Sequence, residues 1–300
     1  MGTRDRILRL VAGGKRAARS ANPQGSGGSP CPYEADENGN LPALVVPRRP
    51  AGTARTSRFF DRFPTFYGSH SSRTSPFRDR LNLRYDAIFA ENREIFADAR
   101  VLDIASHDGR WSLAALETGA KSVVGIEAKP ELVANAEANL ASYVDDDTRY
   151  SFYTGDVLEV LAHEPIDVDV VMCLGYLYHT LRYNELMRRI RDLNPRKVII
   201  DTQVHPRAKG PFVRLTLDET GLQRDAVADE YSYGDLVLTG LPSVPAIRML
   251  ARGYGYRVES FSDWGSLLRD NPRARNVGDY ADVSRVTLVL SPEEDSPLVG

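Results

Sequence analysis

The stretch Val101-Leu102-Asp103-Ile104-Ala105-Ser106-His107-Asp108-Gly109-Arg110-Trp111-Ser112 decides how this chain is read. Residues 101–104 form a short apolar run with one acid inside it, the pattern of a strand buried on both faces. Ala105 and Ser106 are small enough for a tight turn, and Gly109 tolerates a positive φ. Residues 110–118 then read as a helix. Strand, small-residue turn and helix in that order let the backbone approach a ligand at the carboxyl end of the strand. His107 is the misfit, because a bulky residue there is expected to keep φ below zero.

The same alternation continues outward. Residues 122–126 are a second strand and 130–143 a helix with proline in its first turn. Residues 150–153, 168–173 and 197–201 are three more strands, with a helix over 183–192 before the last. Strands separated by helices predict right-handed crossovers and a parallel sheet covered on both faces. Residues 203–242 show no helical period and read as an insertion. A helix over 244–254 follows, then strands at 257–261 and 285–290 with no helix evident between them. A direct return of this kind makes an antiparallel pair.

Composition sets the frame for this α/β reading. The chain has 300 residues, 42% hydrophobic and 26% charged, which suits a large core and excludes collagen-like, mucin-like and wholly disordered chains. No apolar run reaches the ~18–20 residues of a membrane span. Arg9 interrupts the apolar residues near the start, so no secretory leader is read. Cys31 and Cys173 cannot build a disulfide framework, and a reduced, cytoplasmic setting is expected. The net charge of −3 is unevenly spread: residues 1–99 hold 16 Lys/Arg against 10 Asp/Glu, and residues 100–300 hold 22 against 31. An acidic body disfavours a nucleic-acid surface. The expected organisation is a basic, largely disordered tail and linker over 1–56, an aromatic-rich helical lid over 57–99, a main domain over 100–292 with the insertion 203–242, and a tail over 293–300.

Ligands of an open α/β sheet bind beyond the carboxyl ends of its strands. Three acids sit there in succession. Asp103 ends the first strand, Glu127 follows the second, 24 residues later, and Asp156 follows the third. Glu127 is placed to accept from both hydroxyls of a ribose, and Asp156 from an adenine amino group. Together they describe a nucleoside cradle.

These segments resemble the motifs of class I S-adenosylmethionine-dependent methyltransferases. Residues 101–112 look like the first motif, Val124-Gly125-Ile126-Glu127 the second and Gly155-Asp156 the third. The antiparallel finish is similar to the family's seventh strand, so the resemblance implies a Rossmann-like, seven-stranded sheet with an antiparallel final strand. It implies S-adenosylmethionine as cofactor, with Asp103 and Gly109 at the methionine part, Glu127 at the ribose, Asp156 at the adenine, and Ala105, Ser106, His107 and Leu174 around it. Of the family's Asp-x-Gly-x-Gly-x-Gly form only Gly109 remains. Cys173-Leu174-Gly175-Tyr176-Leu177-Tyr178-His179-Thr180 resembles the Leu-Gly-x-Leu-Tyr-His stretch of the group containing the tRNA wobble-uridine carboxymethyltransferases. The Asn/Asp-Pro-Pro-Tyr signature of amino-methylating enzymes is absent.

The expected activity is methylation of a hydroxyl on a small molecule, a sugar or secondary metabolite, with His179 as general base. Histidine titrates near neutral pH and can take a hydroxyl proton. The bland alternative pairs Tyr178 and His179 as a structural unit. Tyr176, Tyr178, Tyr231 and Tyr233 are expected to line the acceptor pocket, with Trp264 a weaker candidate. Asp201 and His205 could share a metal, but too few further ligands are in view. Two other functions compete. One is a tRNA-modifying transferase like the group it resembles, whose carboxymethyl donor carries an extra carboxylate and requires a basic site. The other is a non-catalytic module that keeps the fold.

Overall fold

The structure is a computed structural model that describes residues 56–68, 78–206, 210–221 and 224–293. The expectations for residues 1–55 and for residues 294–300 lie outside these described residues.

The polypeptide enters through two 3-10 turns, Phe59–Arg62 and Pro64–Tyr67, then α1 (Arg78–Tyr85), a π-helical turn (Asp86–Ala90) and α2 (Arg93–Phe96). The core follows as β1 (Arg100–Ile104), α3 (Arg110–Thr118), β2 (Ser122–Glu127), α4 (Pro130–Ala141), β3 (Tyr150–Thr154), α5 (Val157–His163), β4 (Val170–Leu174), α6 (Tyr183–Asp192) and β5 (Lys197–Gln203). The remainder is β6 (Val213–Glu219), β7 (Leu236–Pro242), α7 (Val244–Gly253), β8 (Tyr256–Phe261), α8 (Trp264–Asp270), α9 (Gly278–Ala281) and β9 (Arg285–Pro292).

Seven strands form one sheet in the order β3-β2-β1-β4-β5-β9-β8. The first five are parallel, and β9 runs antiparallel to both its neighbours. Strand order reverses between β1 and β4, so their following helices leave to opposite faces and a crevice opens at the carboxyl ends. Alternation along each strand divides the core. Leu102, Ile104, Val171, Cys173, Val198 and Ile200 face one layer. Val101, Val170, Met172, Ile199 and Val289 face the other.

The aromatic segment belongs to that second layer. Phe59 stacks on Tyr85 with centroids 3.8 Å apart, and Phe60 and Phe89 pack against Trp111 of α3 at 5.6 and 5.8 Å. Burying such rings is the main drive for docking the segment. With its aromatics committed to the core, the helix α1 presents Arg80 and Arg84, one turn apart, to the crevice.

Five elements differ from the sequence reading. The insertion is not featureless: β6 and β7 pair as a two-stranded antiparallel sheet from Val213↔Pro242 to Glu219↔Leu236. Its period is two, not helical, with Arg214, Thr216 and Asp218 on one face. Helix α5 was not anticipated. It is capped by Asp156, whose Oδ1 accepts from the Leu158 and Glu159 amides at 2.9 and 3.1 Å. Two short helices, α8 and α9, also lie between β8 and β9. They are held by Trp264 stacked on Tyr280 at 3.5 Å and by the Trp264 indole N–H donating to Thr287 Oγ1 at 3.0 Å.

Candidate active site

A cavity of about 370 Å³ opens at the carboxyl ends of the central strands. One wall is the turn after β1. Ala105, His107 and Gly109 all take positive φ, at 55°, 58° and 78°. The expectation that His107 keeps φ below zero is therefore wrong. A left-handed histidine costs roughly 1–2 kcal/mol, and local bonds offset it. The His107 amide donates to Glu127 Oε2 at 3.1 Å, and the Asp108 amide donates to His107 Nδ1 at 2.7 Å. Glu127 Oε1 accepts from the Lys129 amide at 3.1 Å, which fixes the carboxylate at the tip of β2.

Ala105, His107, Glu127, Asp156 and Leu174 line the cavity, as do Tyr176, Tyr178 and His179. Asp103, Ser106 and Gly109 lie behind the loop and support it. A Cβ on Gly109 would come within 2.7 Å of Leu140 and 3.1 Å of Ala136, so α3 and α4 pack there at glycine distance. A Cβ on Gly125 would meet the Phe152 ring at 2.4 Å and Ser106 Oγ at 2.8 Å. Asp103 accepts from Ser112 Oγ at 2.7 Å; burial, with Glu127 and Asp108 nearby, pushes its carboxyl up to about 7. Burial acts on Asp108 in the same direction, but the Arg110 guanidinium, bonded at 2.7 and 2.6 Å, holds it well below the usual carboxylate range.

The opposite wall comes from the end of β4, β9 and α1. Asp201 is fully buried and receives Arg84 Nη2 at 2.9 Å, Arg285 Nε and Nη2 at 2.7 and 2.6 Å, Tyr280 Oη at 2.8 Å and Thr287 Oγ1 at 2.7 Å. Burial opposes its charge, yet these donors hold the carboxyl far below its ordinary value. Five donors leave Asp201 no capacity for a metal shared with His205, and the described residues contain no group of three or more metal-ligating side chains. Arg84 and Arg285 both reach the cavity, and the Arg285 guanidinium lies 5.5 Å from the Tyr178 ring centre.

His179 ends the 3-10 turn Leu177–His179 after β4, with its ring 4.2 Å from that of Tyr178. Its Nδ1 is 3.7 Å from Asp218 Oδ2 of the hairpin. Burial lowers its pKa, and Asp225 and Asp218 pull the other way.

Tyr231 and Tyr233 do not line the cavity. Tyr233 is 90% exposed and Tyr231 69%, its ring 5.3 Å from the Arg182 guanidinium. The insertion instead contributes Asp225, Val227 and Asp229. Trp264 is core. Sequence reasoning missed Arg84, Arg285, Asp218 and Asp225. Only α1 carried a signal, two arginines four apart in an apolar segment; the others come from distant strands and loops.

Sheet order, antiparallel finish and the acid cradle define a Rossmann-like methyltransferase architecture. The model of a family described as a methyltransferase domain matches residues 101–194. S-adenosylmethionine is the cofactor used by that family, and the turn after β1, Glu127 and Asp156 lie in the wall of one cavity. No curated protein matches the chain. Among solved structures, magnesium protoporphyrin IX methyltransferase (ChlM) from Synechocystis PCC 6803 with bound S-adenosylmethionine is 16% identical, with 79% of this chain and 93% of that one covered and a TM-score of 0.49. An S-adenosylmethionine-dependent methyltransferase from Mesorhizobium loti is 14% identical over 65% and 92%, with a TM-score of 0.47. At these identities the likeness is one of backbone arrangement alone. Among the described residues, no helix is long and apolar enough to cross a membrane.

Proposed function

We propose that this protein methylates a hydroxyl group of a small molecule, with His179 as general base. The observation that carries the reading is the position of His179 in the wall of the same cavity as Glu127 and Asp156. When bound, S-adenosylmethionine supplies an electrophilic methyl group on a sulfonium. Glu127 would hold the ribose hydroxyls and Asp156 the adenine amino group. The turn 105–109 holds the methionine part with its backbone, braced from behind by Asp103 and Ser106. His179, whose pKa burial lowers, would take the proton of the acceptor hydroxyl as that oxygen accepts the methyl group. Tyr176 and Tyr178 line the acceptor side.

The test is S-adenosylhomocysteine release across hydroxylated acceptors, with wild type and His179→Gln. A responsive acceptor whose turnover falls roughly 100-fold or more in the variant, with cofactor affinity intact, supports the reading. Undiminished turnover in His179→Gln removes the base.

A second reading has one specific observation behind it. Arg84 and Arg285 share a single carboxylate, so the pair places surplus positive charge beside Tyr178 in the cavity. A donor with an added carboxylate, as in the tRNA wobble-uridine group, would meet its counter-charge there. Calorimetry with carboxylated and ordinary S-adenosylmethionine separates the readings. A preference of about tenfold or more for the carboxylated compound, lost in Arg84→Gln, selects carboxymethyl transfer.

A further inference from the structure

We propose that Asp218, carried on the insertion hairpin, is a positioning residue that sets the tautomer of His179 and raises its basicity. The inference rests on the reading of His179 as the base.

The argument begins with strand alternation. Thr216 and Asp218 share one face of β6, and Thr239 of β7 lies directly across from Thr216. Thr239 Oγ1 donates to Asp218 Oδ2 at 3.1 Å and lies 2.7 Å from Thr216 Oγ1. Thr239 is 1% exposed, so its hydroxyl is shielded from water and aims the half-buried Asp218 carboxylate. Oδ2 then stands 3.7 Å from His179 Nδ1. That Nδ1 is itself buried, with no hydrogen-bond partner among the described residues. A buried ring nitrogen facing a carboxylate is satisfied only when it carries the proton. Closing the gap by about 0.7 Å makes an ordinary hydrogen bond.

The consequence is chemical. With the proton fixed on Nδ1, the lone pair of the neutral ring is on Nε2, across the ring from the buried atom. The hydroxyl proton of the acceptor passes to Nε2, and the resulting imidazolium is stabilised by Asp218 through Nδ1–H. Other charges face the ring. Asp225, from the loop after β6, acts in the same direction as Asp218, and Arg285 of β9 opposes both. Arg285 is anchored on Asp201, so its effect is constant and the hairpin supplies the adjustable part.

The experiment is histidine-ring proton–nitrogen NMR on the full chain across pH, with His179→Gln to assign the signals. In wild type the neutral His179 ring is expected to carry its proton on Nδ1. In Asp218→Asn the acceptor remains but its charge is lost, and the titration midpoint falls by about one pH unit; Asp218→Glu restores part of the shift. With an acceptor in hand, Asp218→Asn lowers turnover roughly tenfold or more without changing cofactor affinity. A proton on Nε2 of the neutral wild-type ring, or the same midpoint in wild type and Asp218→Asn with the fold intact, overturns the proposal. Full turnover in His179→Gln, despite a shifted titration in Asp218→Asn, overturns the base reading and the positioning role with it, leaving a structural ion pair.

Discussion

Asp103 shows how much one buried carboxyl can govern. Its carboxyl titrates near 7 in the fold against about 4 in the unfolded chain. Between those values the native protein holds a proton that the unfolded chain has released. Stability from this group therefore falls as pH rises from about 4 to about 7. Asp103→Asn keeps an acceptor for Ser112 Oγ and removes the ionisation. Urea midpoints at pH 5 and pH 8 are expected to drop less with rising pH in the variant than in wild type. Glu127 works through both its oxygens, holding the His107 and Lys129 amides. Glu127→Ala loses these bonds as well as the proposed ribose contact, and S-adenosylmethionine affinity is expected to fall roughly 10- to 100-fold by calorimetry. An unchanged affinity would place the ribose elsewhere.

The hairpin β6–β7 stands apart from the main sheet and is docked through few bonds. Tyr183 Oη of α6 donates to the Gly240 carbonyl at 2.7 Å. A Cβ on Gly240 would fall 2.8 Å from that hydroxyl and 2.7 Å from Leu181, so the strand lies against the residues after His179 as closely as glycine allows. Tyr183→Phe leaves the buried carbonyl unsatisfied, a cost of about 1–3 kcal/mol. Amide exchange over 236–242 is expected to speed up roughly tenfold or more, while amides of β1 and β4 keep their protection. Equal acceleration in both would mean that the hairpin opens only with the whole domain. Because the hairpin bears Asp218, the same loosening is expected to lower the His179 midpoint.

At the scale of the whole molecule, Asp201 ties three distant parts of the chain together. Arg84 comes from α1, Arg285 from β9, and Tyr280 from α9. Asp201→Asn strands two guanidinium groups in a buried setting without their counter-charge, and breaking such a pair costs about 3–5 kcal/mol. A correspondingly lower urea midpoint is expected, with loss of fixed geometry at the Arg84–Arg285 wall. A variant as stable as wild type would show that water or rearranged donors neutralise the site. The aromatic layer under α3 is a separate source of stability, since Phe60, Phe66 and Phe89 are completely buried.

The sequence by itself determined the seven strands of the main sheet, the helices α3, α4, α6 and α7, and the acids that follow β1, β2 and β3. These are local properties: apolar runs, turn residues and spacing along one chain. The hairpin strand was legible, since Val213, Leu215 and Leu217 alternate with Arg214, Thr216 and Asp218 at the strand period, and only the test for a helical period passes over it. Asp103 and Gly109 were found as site residues, but whether a residue lines the cavity or braces it depends on which face of the turn it occupies, which spacing does not encode. The charge pairs were decided only by tertiary structure. Arg84, Asp201 and Arg285 are brought together by the docking of α1 and the antiparallel insertion of β9, and Asp218 meets His179 because β7 packs against the turn Leu177–His179 that follows β4. Pairing across such separations is selected by burial and by the need to neutralise buried charge, and neither can be read before the chain is folded.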